Sequence, residues 1–259
     1  MKFKEDRPLY MLMELAAILR NKCPWDREQT FKSLKPYLIE EAYEAYEAIE
    51  TGDIEHMKEE FGDLLYQVYA HSEIANEEKS FNIDDVAQGI IEKLIRRHPH
   101  VFGEDIVKDK HDVIKNWEII KKKEKSHRES ILDGVPKQLP ALLKAYRIQQ
   151  KTSRVGFDWE KSEDIVKKLD EEINEFKEVV NANDREKIKE EAGDILFTIV
   201  NILRHIDVNP EEALSSSTQK FMNRFRYIEQ ESAKENKNIN EMSIEELDAL
   251  WEKAKKSLS

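Results

Sequence analysis

The feature that most constrains this chain is an acidic pattern written twice. Ile39-Glu40-Glu41-Ala42-Tyr43-Glu44 precedes Glu59-Glu60-Phe61-Gly62-Asp63-Leu64-Leu65. Asp170-Glu171-Glu172-Ile173-Asn174-Glu175 likewise precedes Glu190-Glu191-Ala192-Gly193-Asp194-Ile195-Leu196. Glu41, Glu44, Glu60 and Asp63 map onto Glu172, Glu175, Glu191 and Asp194 at one constant offset of 131 residues. Shorter echoes flank this core: Trp25-Asp26 with Asp158-Trp159, Lys93 and Arg97 with Lys220 and Arg224, Trp117-Glu118 with Trp251-Glu252. So long a period is no solenoid unit; it reads as a duplicated domain.

The join should fall where periodicity lapses. Lys121 to Arg128 is basic and polar, and Gly134, Pro136 and Pro140 follow closely, which is loop chemistry. A boundary near residue 127 gives an N-terminal domain over 1–126 and a C-terminal domain over 127–259. Only 7 Gly and 7 Pro in 259 residues, with 37% charged residues, disfavour an all-β sandwich or barrel. Neither half carries an alternating Val/Ile/Thr run, so the expected fold is all-α: two tandem helical bundles.

Charge and termini narrow the partners. A formal charge of -12 repels the phosphate backbone and anionic lipid, so neither nucleic acid nor membrane is expected. The opening Met1-Lys2-Phe3-Lys4-Glu5-Asp6 lacks a signal peptide's apolar core, and Leu9 to Leu19 is too short to span a bilayer. The expected location is cytoplasmic. A single cysteine, Cys23, excludes an internal disulfide and a cysteine-rich zinc site.

Helices are expected over Phe31–Glu50 and Ile54–Ala75, and a third starts at Phe81-Asn82-Ile83-Asp84 and runs to about His98, with Asn82 or Asp84 as its N-cap. Their second-half counterparts run from Ser162 to Val180, from Asp184 to His205, and onward from Pro210, a residue suited to a first helical turn. Asn183 stands three residues before Glu186, a candidate capping box. Leu9–Arg20 and Leu139–Lys151 are amphipathic and should pack as further helices.

Carboxylates three apart share a helix face, so Glu41 projects with Glu44 and Glu60 with Asp63. The intervening turn centres near Gly52. Glu44 and Glu60 are each 8 residues from it, Glu41 and Asp63 each 11. In an antiparallel hairpin equal separations mean equal heights, about 12 and about 17 Å from the loop. The second half repeats this about Asn183, with Glu175 and Glu191 at 8 and Glu172 and Asp194 at 11. Four converging anions repel unless a cation lies among them. Oxygen donors without histidine or cysteine suit Mg²⁺ or Mn²⁺, and Mg²⁺ commonly shares its coordination with substrate phosphates. Gly62 and Gly193, beside these positions, are expected to permit close helix approach. Leu64, Leu65 and Val68, with Ile195, Leu196 and Ile199, continue the two hairpins as apolar partners.

Cations are at hand. Lys168 lies a turn before the acidic cluster, Lys187 and Lys189 just before Glu190, and Lys220 and Arg224 are four apart on one face, where they could grip phosphates. Trp251 could stack on a base and Asn201 could read base or sugar. His98-Pro99-His100 reads as a structural turn and Cys23 as packing. There is no Gly-x-x-x-x-Gly-Lys-Ser/Thr loop, Gly-x-Ser-x-Gly elbow or His-Glu-x-x-His pair, so metal and side chains must hold phosphates.

The order Glu-Glu-x-x-Glu, a gap, then Glu-x-x-Asp resembles the MazG-type nucleoside triphosphate pyrophosphohydrolases of the all-α NTP pyrophosphatase superfamily. Lys22-Cys23-Pro24-Trp25-Asp26, Arg96-Arg97-His98-Pro99-His100-Val101-Phe102-Gly103, Leu132-Asp133-Gly134-Val135-Pro136 and Arg154-Val155-Gly156-Phe157-Asp158-Trp159 are similar to that family as well. The resemblance covers essentially the whole chain. It implies Mg²⁺-dependent cleavage of NTPs or dNTPs between the α and β phosphates, giving monophosphate and pyrophosphate. It implies metal ligation by Glu172, Glu175, Glu191 and Asp194, with Glu41, Glu44, Glu60 and Asp63 as counterparts, and main activity in the C-terminal half. Lys168, Lys187, Lys220, Arg224 and Trp251 become substrate contacts, joined by Lys189, Glu190 and Asn201 as candidates, and a homodimer is implied. Glu171 or Glu172 could accept a proton from the attacking water. Two rival readings are a sensor that binds Mg²⁺–nucleotide without turnover and a helical scaffold whose acidic faces hold a basic partner.

Overall fold

The computed structural model describes residues 7–124 and 129–258, side chains at 111, 115, 118, 122 and 123 apart. The first six residues and the join expected at residue 127 lie outside the described residues. The chain forms two compact units, Met1–Ser126 and His127–Ser259. No strand occurs among the described residues.

The first unit contains α1 (Pro8–Lys22), α2 (Pro24–Glu28), α3 (Phe31–Thr51), α4 (Ile54–Glu77), α5 (Ile83–Arg97), α6 (Pro99–Phe102) and α7 (Lys110–Glu124). The second contains α8 (Ala141–Ser153), α9 (Ser162–Ala182), α10 (Arg185–His205), α11 (Pro210–Lys234), a 3-10 turn (Ile239–Glu241) and α12 (Ile244–Ser257). In each unit an antiparallel hairpin dominates the packing, α3 with α4 and α9 with α10.

Both hairpin turns use one device. Gly52 (φ +71°) and Asn183 (φ +54°) end the incoming helix in the left-handed region, where glycine is unstrained and asparagine tolerated. The next residue starts the outgoing helix: Asp53 accepts from the N–H groups of Glu55 and His56, and Asp184 from that of Lys187. This corrects the expected Asn183–Glu186 capping box. A residue in the left-handed conformation closes α9, so the N-cap passes to Asp184. Asn82, by contrast, does form a capping box, with Asp85 at the start of α5.

In the first unit, α1 packs on α4, and Ala16, Leu34, Ala45, Ala48, Ile74 and Ala75 are buried. In the second, α8 packs on α10 and α11, α11 packs on α12, and Ile165, Val200, Ile228, Leu250 and Ala254 are buried. Much large apolar surface remains uncovered, including Ile90, Ile91, Leu94 and Ile95 on α5 and Phe221, Met222 and Phe225 on α11. Leu65, Leu196 and Ile199, expected as apolar partners within the hairpins, are also exposed. Among the described residues no helix is long and apolar enough to cross a membrane.

Candidate metal centre and adjoining cavity

The hairpins bring carboxylates together in each unit. Oxygens of Glu172, Glu175 and Glu191 lie within 4.8 Å of one another, and so do those of Glu41, Glu60 and Asp63. Three of the four expected positions therefore converge in each hairpin, though not the same three: Glu44 and Asp194 stand outside. Three residues turn a helix through 300°, so an i, i+3 pair diverges by about 60° and both members need not reach one point. The outlying groups remain within electrostatic reach. Burial raises the Glu191 pKa, and Glu175, Asp194, Glu172 and Glu190 raise it further. Burial likewise raises Glu41, against a lowering hydrogen bond from Gln67 and with Asp63, Glu44 and Glu60 adding to the rise.

Each trio combines one buried group (Glu172 or Glu60), one half-buried group (Glu191 or Glu41) and one exposed group (Glu175 or Asp63). An all-oxygen anionic donor set, open on one side, fits a hard divalent ion that keeps some of its coordination for water or phosphate. Gly62 and Gly193 do not serve the close approach expected of them. A Cβ at either would meet nothing within 4 Å, because each glycine faces open space instead of the opposite helix.

The two centres differ in their neighbours. Lys168 Nζ donates to Glu172 Oε1 at 2.8 Å and to Glu171 Oε1 at 3.0 Å, which raises the lysine's pKa. At the offset of 131, the first unit has Tyr37 in its place and His56 in place of Lys187. His56 Nε2 lies 3.0 Å from Glu60 Oε1, and Gln67 Nε2 donates to Glu41 Oε1 at 3.3 Å.

Beside the second centre lies a cavity of about 590 Å³, within the range of small-molecule sites. Glu172, Asp194 and Lys168 line it together with Gln149, Phe157, Trp159 and Asn201. The loop carrying Phe157–Trp159 is strapped to α10. Arg204 Nη1 donates to Asp158 Oδ2 at 3.0 Å, Arg204 Nη2 also reaches Asp158 Oδ1, and it donates to Asn201 Oδ1 at 2.7 Å. His205 Nε2 lies 3.2 Å from the Trp159 carbonyl. On the facing helix, Gln149 Nε2 donates to the Phe197 carbonyl at 2.9 Å.

Of the residues singled out in the sequence, Lys168, Glu172, Asp194 and Asn201 line this cavity, whereas Lys187, Lys189, Glu190, Lys220, Arg224 and Trp251 do not. Glu171 is exposed and bonded to Lys168. Lys220 and Arg224 sit on α11, where the Arg224 guanidinium lies 5.5 Å from the Trp251 ring centroid and Phe221 packs on the same ring at 5.1 Å. Sequence reasoning missed Arg204 and Gln149. For Arg204 a signal existed: it follows Asp194, Thr198 and Asn201 in helical register, so it belongs to the acidic face of α10.

Comparison with known proteins agrees with this architecture. The model of the MazG nucleotide pyrophosphohydrolase domain matches residues 29–102 and 160–228, one stretch in each unit. The nucleoside triphosphate pyrophosphohydrolase/pyrophosphatase MazG of Thermotoga maritima is 48% identical over 234 residues, covering 90% of this chain and 89% of that one. YabN of Bacillus subtilis is 49% identical over 262 residues, covering 98% of this chain and 54% of its own length. The nucleoside triphosphate pyrophosphohydrolase of Escherichia coli K12 is 38% identical over 252 residues, 96% of each chain. The chain belongs to the MazG nucleotide pyrophosphohydrolase domain family.

Proposed function

We propose that this protein hydrolyses nucleoside triphosphates, ribo- or deoxyribo-, to the monophosphate and pyrophosphate with Mg²⁺, clearing unwanted nucleotides with broad base tolerance. The observation that carries this reading is the juxtaposition of the Glu172/Glu175/Glu191 trio with a cavity sized for a nucleoside. The named activities of the Thermotoga and Escherichia relatives support it.

Glu172, Glu175 and Glu191 would hold the ion, with Asp194 completing the anionic rim. Bound there, Mg²⁺ supplies charge neutralisation for the phosphates and lowers the pKa of a coordinated water. Lys168, already paired with Glu171 and Glu172, orients Glu172 and adds a positive charge at the cavity mouth. Water adds to phosphorus, one bridging P–O bond breaks, and a carboxylate at the mouth, Glu171 or Glu172, takes the proton released. Asn201, fixed by Arg204, faces the nucleoside, and Lys220, Arg224 and Trp251 form an outlying grip for phosphate and base. Lys187, Lys189 and Glu190 contribute charge near the start of α10. The C-terminal unit is the main catalytic one. The uncovered faces of α5 and α11 are suited to a second copy, giving a homodimer.

Product analysis by phosphorus NMR on a panel of NTPs, with and without Mg²⁺, tests the reading. Monophosphate and pyrophosphate in equal amounts, formed only with the metal, are expected. Nucleotide binding without product would indicate a sensor, and metal-independent behaviour a scaffold.

A further inference from the structure

The two units part company at one matched arginine of the third helix in each repeat, Arg97 on α5 and Arg224 on α11. In the second unit Arg224 makes no ion pair among the described residues; its buried Nε has no partner and its guanidinium lies over Trp251. In the first unit the matching Arg97 is clasped. Arg97 Nη2 donates to Glu124 Oε2 at 2.6 Å and its Nε to the same oxygen at 3.0 Å, while Arg96 Nε donates to Glu124 Oε1 at 2.5 Å. Both oxygens of one carboxylate are thus held by two guanidinium groups, the pattern in which arginines also hold a phosphate. The Arg97 and Glu124 side chains are only 11% and 18% exposed.

The clasp belongs to the first repeat alone. Aligning Trp117 with Trp251 places Leu258 opposite Glu124, and aligning Arg97 with Arg224 places Asn223 opposite Arg96. The second unit has neither the carboxylate nor the second arginine. Yet the first unit keeps the Glu41/Glu60/Asp63 trio, Lys93 and Trp117, with Tyr37 standing in place of Lys168. It also keeps an unsatisfied polar group there. Gln67, 7% exposed, spends its amide N–H on Glu41, and its Oε1 has no partner. Because the nitrogen is assigned by its carboxylate acceptor, the free atom is an acceptor beside the acidic trio, as a cation or its bound water would require.

We propose that the first unit holds a latent second site for the phosphates of a Mg²⁺–nucleoside triphosphate, in which the Glu124 carboxylate occupies Arg97 as an internal phosphate surrogate. This rests on the reading of the second unit as a nucleotide site. Arg97 and Arg96 hold the Glu124 pKa at about 2, so the surrogate stays charged at any physiological pH. Nucleotide phosphate must displace an anion tethered to the same unit, which is present at high effective concentration, and the wild-type site therefore stays empty.

Titration calorimetry of the full-length chain with Mg²⁺ and α,β-methylene ATP, which cannot be cleaved between its α and β phosphates, decides the matter. One site per chain is expected in the wild type, two in Glu124→Gln and in Glu124→Leu, which installs the residue of the second repeat. The double variant Glu124→Leu/Arg97→Met should return to one. One site in both single variants, or two in the wild type, would overturn the proposal. Unfolding of both single variants, seen by circular dichroism, would also overturn it, by making the clasp a structural necessity. No binding to wild-type protein would instead defeat the reading of the second unit.

Discussion

Replacing Glu172 by glutamine removes one charge from the proposed metal site with almost no change of shape. Glu172 is 6% exposed, lies 2.8 Å from Lys168 Nζ, and shares a 4.8 Å cluster with Glu175 and Glu191. At a Mg–O distance of about 2.1 Å, the attraction between one carboxylate and a doubly charged ion is about 4 kcal/mol even at the dielectric constant of water. That equals about a 1,000-fold change in affinity. Part is recovered, because the remaining carboxylates lose a repelling neighbour and Lys168 turns wholly to Glu171. The expected outcome is a Mg²⁺ midpoint for pyrophosphate release raised by about 100- to 1,000-fold. Thermal unfolding provides the second readout. Mg²⁺ at 100 times its dissociation constant stabilises the wild type by about 2.7 kcal/mol, and at that concentration the variant should gain under about 0.5 kcal/mol. A folded variant whose midpoint moves by less than about threefold, a difference of under about 1 kcal/mol, would refute the assignment of Glu172 as a metal ligand.

Arg204→Met cuts the strap to Asp158 and should cost about 2 kcal/mol, between the values for surface and buried ion pairs. Calorimetric melting should fall by several degrees, and KM for the nucleotide should rise more than kcat falls, since the released loop lines the cavity. Arg224→Met should raise KM by about 10- to 100-fold, the worth of a charge-assisted hydrogen bond to phosphate. A lowered melting temperature at unchanged KM would show a packing role only. Glu124 titrates at about 2 in the folded protein, below its unfolded value of about 4.3, so its stabilisation is complete above the unfolded value and disappears as pH falls through the folded one. Urea midpoints of wild type and Glu124→Gln should therefore differ at pH 7 and converge as the pH falls from about 4 to about 2. A gap that stays constant over that window would contradict the arginine clasp.

The hairpins were legible because two independent signals agree. Apolar periodicity marks the helices, and the acidic residues stand symmetrically about Gly52 and Asn183. Even so, the role of Asn183 was misread, since capping-box spacing and a left-handed helix end place the same residue type beside the same turn, and only backbone dihedrals separate them. Which three of four carboxylates converge was not legible either. It depends on a helix rotation of tens of degrees, which an i, i+3 rule leaves free. Gly62 and Gly193 misled for a related reason: sequence places a glycine next to a site without saying which way its missing side chain would point. The strap from Arg204 to Asp158 joins residues 46 apart, and no local pattern encodes such a pairing. Likewise, the doubled arginine Arg96-Arg97 is plain in the sequence, but its capture by Glu124 from another helix emerges only in three dimensions.

The most direct test of the account is to locate the ion itself. Crystals grown with Mn²⁺ and α,β-methylene ATP should give an anomalous difference peak in direct contact with carboxylate oxygens of Glu172, Glu175 and Glu191, with nucleotide phosphates completing its coordination. Nucleotide bound in the cavity with no anomalous peak among those three residues would contradict the claim that this hairpin positions a divalent cation for hydrolysis.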